Sequence, residues 1–132
     1  MMQITIPLPP RTKKNSQRIV MINGHYAVIP SKEYKLYEVA CHRYMPRLET
    51  PIDYPVNVTV KYYMPTRRRV DGVNLLEATL DILVKYKVLA DDNRNIVYSV
   101  DGTRVYYDKK DPRCEIVIEP IESEEVERWK DK

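Results

Sequence analysis

The sequence predicts an α+β domain in which a mostly antiparallel, mixed β-sheet is covered by two main helices. Two observations carry most of that prediction. Residues 56–64 alternate apolar and polar side chains without a break, the period of a half-buried strand. Residues 73–86 are apolar around most of a helical circumference, as expected of a central helix packed on a sheet. Shorter alternating or apolar runs at 3–8, 96–107 and 114–119 supply further strands.

Gln3–Leu8 places Ile4, Ile6 and Leu8 on one face and is ended by Pro9-Pro10. A polar loop, RTKKNSQ, follows. Residues 18–22 and 26–29 flank Asn23-Gly24, a strong hairpin signal. Ser31 is placed to cap a helix with Glu33 in its first turn, where the dipole favours an acid. Tyr34, Tyr37, Cys41 and Tyr44 recur at helical spacing and should face the core, and Pro46 stops the helix.

In Val56–Met64 the residues Val56, Val58, Val60, Tyr62 and Met64 point one way, and Asn57, Thr59, Lys61 and Tyr63 the other. Pro65 ends this strand. The second helix carries Leu75, Leu76, Leu80, Ile82, Leu83 and Val84, with Asn74, Glu77, Asp81 and Lys85 on one narrow polar stripe. Asp101-Gly102 is readable as a tight hairpin turn. The apolar parity flips across it, however, from Ile96, Tyr98 and Val100 to Val105 and Tyr107, which favours one long bulged strand over 96–107. The turn DKKDPR leads to a last strand at 114–119. The domain is thus expected over 1–119, with 120–132 a polar, loosely attached tail.

The length of 132 residues suits one domain with a real core. Eleven Tyr, one Trp and no Phe make an unusual aromatic set. No apolar run approaches the roughly 18 residues that span a bilayer, and the N-terminus does not read as a signal peptide. Cys41 and Cys114 fall at core positions, reduced and buried, which points to the cytosol. The net charge of +3 decides little, but its distribution is uneven. Arg11, Lys13, Lys14, Arg18 and Lys32 precede the first acid, while the segment after Glu115 is rich in Glu. That asymmetry is compatible with one phosphate-facing side and equally with two ordinary solvated surfaces.

The stretch from Arg67 to Asp92 concentrates the candidate chemistry. Arg67, Arg68 and Arg69 stand before Asp71, a helix follows, and Asp91-Asp92 come next. A helix over 73–86 is about 21 Å long, and an extended return over 87–92 covers about 20 Å. The return is therefore long enough to bring the aspartate pair back beside Asp71. Each part also has a plain structural explanation. Asp71 suits a helix N-cap, Asp91-Asp92-Asn93 a turn, and three arginines a soluble surface. Together they suggest more. Two carboxylates ~4 Å apart repel by roughly 4 kcal/mol at an effective dielectric near 20, a cost that a cation offsets. Oxygen-only ligands favour Mg²⁺ or Mn²⁺, and guanidinium forks match phosphate oxygens. His25 and His42 read as structural or solvated, and with three glycines in the chain there is no phosphate-cradling loop.

Over about residues 3–119 the sequence resembles the RusA family of Holliday junction resolvases. The stretches PP…KKNSQRIV, PSKEYKLYE, YMPTRRR and LADDN occur in family order. The family motif D-x-D-N-L-x-K followed by a D-D pair reads here Asp71-Gly72-Val73-Asn74-Leu75-Leu76-Glu77 and then Asp91-Asp92. The resemblance implies a homodimeric, Mg²⁺-dependent endodeoxyribonuclease of the kind common in prophages, acting on branched DNA. It implies Asp71 and Asp92 as metal ligands and Asp91 as an adjacent acid. Arg67, Arg68 and Arg69, with Lys13, Lys14, Asn15 and Arg18, would face DNA. The chain departs from the motif at three places. Val73 replaces the second aspartate, where a buried valine cannot ligate metal; Glu77 replaces the lysine; and Val70 replaces the last basic residue. Three outcomes stay open. Glu77 compensates and the enzyme cuts, the protein binds junctions but cuts poorly, or it is a single-stranded nucleic-acid binder that uses its tyrosines as stacking platforms.

Overall fold

In the computed structural model of the protein, residues 1–13 and 17–130 are described. Five strands form one mixed sheet. Its centre is β4 (Val56–Met64), the strand legible from alternation, with β7 (Arg113–Pro120) antiparallel on one side and β1 (Met2–Ile6) antiparallel beyond that. On the other side β5 (Val97–Ser99) and β6 (Arg104–Tyr107) both run parallel to β4. Register aligns the apolar residues in rows across three strands: Ile6 with Cys114 and Tyr62, then Ile4 with Ile116 and Val60. Since a strand's side chains alternate, these rows make one continuous apolar face.

Two helices cover that face. α1 (Lys32–Cys41) starts where Ser31 Oγ accepts the Tyr34 amide at 3.2 Å, and it buries Tyr34, Tyr37 and Cys41. α2 (Gly72–Lys85) buries Leu75, Ala78, Ile82 and Leu83 in the same cluster. Its buried Thr79 is satisfied twice, by Tyr62 Oη at 2.7 Å and by the Leu75 carbonyl at 3.0 Å. Both cysteines are free and buried, as expected, and burial pushes the Cys41 thiol up to about 11. Among the described residues no helix is long and apolar enough to cross a membrane.

Asn23-Gly24 turns the predicted hairpin of β2 (Gln17–Ile22) and β3 (His25–Pro30), with φ of 51° and 80°, both positive as a primed turn requires. It forms a two-stranded sheet of its own.

Three expectations are corrected. Residues 96–107 are not one bulged strand but two short ones, with a break held by side chains of β4. The Asp101 carbonyl accepts from Thr59 Oγ1 at 2.7 Å and Asn57 Nδ2 at 3.1 Å, and Asn57 Oδ1 accepts the Asp101 amide at 2.8 Å. Gly102 sits at φ 87°, and a Cβ there would lie 3.2 Å from Thr59. The tail is not loose throughout: α3 (Ser123–Lys130) buries Val126, and Tyr98 Oη donates to Glu125 at 2.9 Å. Val73 is not buried but 73% exposed. It lies about 200° around the helix from the buried Leu75, so it must point away from the sheet.

Candidate active site

The site is built on the two ends of α2. At its start Asp71 is the N-cap: Oδ1 accepts the Val73 amide at 2.9 Å and the Asn74 amide at 3.4 Å. Both bonds use the same carboxylate oxygen. Arg69, Val70, Asp71 and Asn74 line one groove of 460 Å³. Arg67, Arg68 and Arg69 are all exposed around it, and the Arg67 guanidinium lies 4.3 Å from the Tyr107 ring centre. Exposed guanidinium groups just before the helix start suit a phosphate, while the Val73 and Asn74 amides are already taken by Asp71.

The other end is acidic. α2 closes with a left-handed residue, Lys87 at φ 61°, whose amide bonds Val84 O while the Val88 amide bonds Leu83 O. That is the Schellman pattern, and it turns the chain back with Val88 packed inward. The return is then clamped on Ile52, which donates to Val88 O and accepts from the Ala90 amide, each at 2.9 Å. It delivers Asp91 and Asp92 to the second half of the helix.

There Asp91 accepts the Asp92 amide at 2.7 Å and Asn93 Nδ2 at 3.2 Å, and these donors hold its carboxyl below the usual range. Asp92 moves the other way. Partial burial raises it first, then its contact with the Asp91 carboxyl, then the negative charges of Asp81 and Asp91. Asp81 in turn holds Lys13 Nζ at 2.7 Å, with the ammonium 5.8 Å from the Tyr34 ring centre.

The structure therefore brings together part of what the sequence predicts. Asp91 and Asp92 share one electrostatic field, and Asp71 and Asn74 line the groove at the helix start with Arg69.

 Asn74 is half-buried in the first turn of the helix, beside Asp71. The charge of Asp81 acts on Asp92, and Asp81 lies ten residues past Asp71, or about 15 Å of helical rise. Among the described residues no group of three His, Cys, Asp or Glu side chains is placed to hold a metal. Glu77 is exposed on α2 between the two ends. Lys13 faces Asp81 in place of open solvent. Lys14 and Asn15 lie outside the described residues, as does the side chain of Arg18, whose backbone pairs with Ile29 in the hairpin. The sequence reading passed over Asp81 and Tyr107. The first was visible on the polar stripe with Asn74, but nothing local names its partner. The second carried no signal beyond its ring.

The model of the endodeoxyribonuclease RusA family matches residues 7–119. The chain belongs to the RusA family. No curated protein matches it. RusA-family membership implies a Holliday-junction-resolvase-like endonuclease that acts on branched DNA, and such enzymes generally depend on a divalent metal. The donors present suit such an ion. They are carboxylate oxygens only, Asp92 is crowded by like charge in a way that a cation relieves, and Mg²⁺ commonly takes one or two carboxylates together with substrate phosphates.

Proposed function

We propose that the protein is a metal-dependent endodeoxyribonuclease that cuts Holliday junctions and related branched DNA in recombination and repair. It would work as a homodimer in the cytoplasm of a bacterial or phage-infected cell. The observation that carries this reading is the groove at the start of α2, where Asp71, Asn74 and Arg69 meet in a RusA-family chain.

Asp91 and Asp92 are the residues that would hold Mg²⁺ or Mn²⁺, while Asp71, ten residues along α2 from the Asp81 that acts on Asp92, would serve at the phosphate groove. When bound, the ion would acidify an attacking water and offset charge on the scissile phosphate. The protein's own part is positioning. Arg67, Arg68 and Arg69 clamp backbone phosphates through their guanidinium groups. The cap fixes the Asp71 carboxyl against the helix start.

One observation favours a weaker enzyme, or a junction binder that cuts poorly. Val73 presents an apolar, 73% exposed side chain where the family motif has an acid. Because the side chain is exposed, an aspartate fits there at little structural cost, within about 0.5 kcal/mol. The test is cleavage of a synthetic four-way junction with Mg²⁺ and with Mn²⁺, by the wild type and by two variants. Val73→Asp raises cleavage if the missing acid limits the site, and Glu77→Lys abolishes it if Glu77 compensates. No change in either variant would remove the metal-site assignment. Equal affinity for linear single strands and for junctions would favour a single-stranded nucleic-acid binder.

A further inference from the structure

The edge strand β6 holds two tyrosines that the cleavage reading does not use. Tyr106 is 43% exposed and lies opposite Tyr63 in register, on the sheet face away from the helices, with ring centres 5.2 Å apart and planes 29° from parallel. Tyr63 is itself held by Arg113, whose guanidinium lies 3.7 Å from its ring centre. Arg113 is fixed in turn by Glu115 at 2.9 Å and Asp108 at 3.0 Å. Tyr106 is thus the exposed end of a series of stacked groups anchored by ion pairs, at little entropic cost to a ligand that stacks on it.

Basic groups lie beside the tyrosine pair, with Glu115 opposite Lys61 on the far side from β6. Lys61 and Arg104 lie directly opposite one another in register, two residues along from the tyrosine pair. Neither makes an ion pair with a described residue. Like charges set side by side across strands are unfavourable; Glu115 across from Lys61 on β7 offsets part of that, and a phosphate beside Arg104 would offset the rest. The next residue, Tyr107, carries Arg67 over its ring at 4.3 Å, which joins this edge to the arginine run before Asp71. Among the described residues β6 pairs only with β4, so its outer edge is open.

We propose that the β6 edge is a base-stacking ridge for unpaired nucleotides of DNA. Tyr106 takes the base, and Lys61 and Arg104 hold the phosphates beside it. The proposal rests on the DNA-binding part of the function proposed above, and it adds a second contact surface to the groove at Asp71. Such a ridge suits the point at which junction arms part and bases lose their neighbours.

The experiment uses a four-way junction with 2-aminopurine at the crossover, and a single strand of the same sequence, both without divalent cation. The wild type should quench the 2-aminopurine on binding. Tyr106→Ala and Tyr106→Leu should lose the quenching and bind roughly 10- to 100-fold more weakly, and Tyr106→Phe should keep both. Lys61→Ala and Arg104→Ala should each lower the slope of log affinity against log salt by about one, with quenching at saturation retained. Junction binding with unchanged affinity and quenching in Tyr106→Ala and Tyr106→Leu would overturn the ridge and leave the junction reading standing. Tyr106-dependent quenching of the single strand, without junction binding, would keep the ridge and remove the junction reading. A changed sedimentation coefficient in Tyr106→Leu, with quenching intact, would make the edge a contact between copies of this chain and overturn the proposal.

Discussion

The two ends of α2 carry opposite charge and are held by opposite means. At the start one carboxylate, Asp71, is tied to backbone amides, and the exposed groups around it are arginines. Toward the far end Asp92 feels the charges of Asp81 and Asp91, and Lys13 pairs with Asp81. The first end presents exposed positive charge, and the second has negative charge in excess. A nuclease needs both, a place for the phosphate and a place for the cation. Here one helix separates them and the chain that returns from it determines how far.

The sharpest way to break this comparison is to remove charge from each end in turn. Asp92→Asn should lower Mg²⁺-supported junction cleavage by roughly 100-fold or more, with binding in the absence of metal preserved. If cleavage persists at the wild-type rate, the acidic end is structural only. At the other end the cap and the chemistry can be separated, because asparagine caps a helix about as well as aspartate. Asp71→Asn should lose cleavage at unchanged melting temperature. Asp71→Ala should lose cleavage and also about 1 kcal/mol, or a few degrees in Tm for a domain of this size. A purely structural Asp71 would show activity that follows Tm across the two variants.

How far this division could be read beforehand depended on the range of the forces involved. The Ser31 and Asp71 caps, the Asn23-Gly24 turn and the alternation of β4 each act within a few residues, and the structure has them as the sequence predicts. The break between β5 and β6 is made by Asn57 and Thr59 reaching Asp101 across more than forty positions, and nothing near Asp101 announces it. The meeting of Asp92 with Asp81 is of the same kind. Chain length allowed the return to reach anywhere along α2, and the clamp on Ile52 decides where it stops. The exposure of Val73 was a different matter. Helical geometry relative to Leu75 states it, but residue type suggested burial.

Smaller effects sharpen the contrast. Replacing Arg67, Arg68 and Arg69 together by glutamine should weaken junction binding and reduce the salt slope by up to about 2.7, one contact each at 0.9. Lys13→Met should barely change that slope, since Lys13 already faces Asp81. Its effect is on stability, a loss of at most about 1 kcal/mol for a pair still one-third exposed on each side, read from urea unfolding. A slope change in Lys13→Met as large as that of a single arginine would place the lysine on DNA instead.

The smallest expected effect is the most specific to the acidic end. Asp92 is raised in the folded protein, so its proton favours the folded state at low pH, and that contribution is lost as pH rises through the raised value. Asp91 is lowered, so its contribution is present above the ordinary carboxylate range and is lost as pH falls through the lowered value. Asp92→Asn should therefore gain slightly over the wild type at neutral pH, within about 0.5 kcal/mol, and lose that gain toward pH 4. Asp91→Asn should be the less stable protein at neutral pH and approach the wild type in strong acid. Added Mg²⁺ should erase the Asp92→Asn advantage at neutral pH, because a cation offsets the same repulsion that the amide removes. An advantage untouched by Mg²⁺ would mean that the pair of aspartates repels without serving as a ligand.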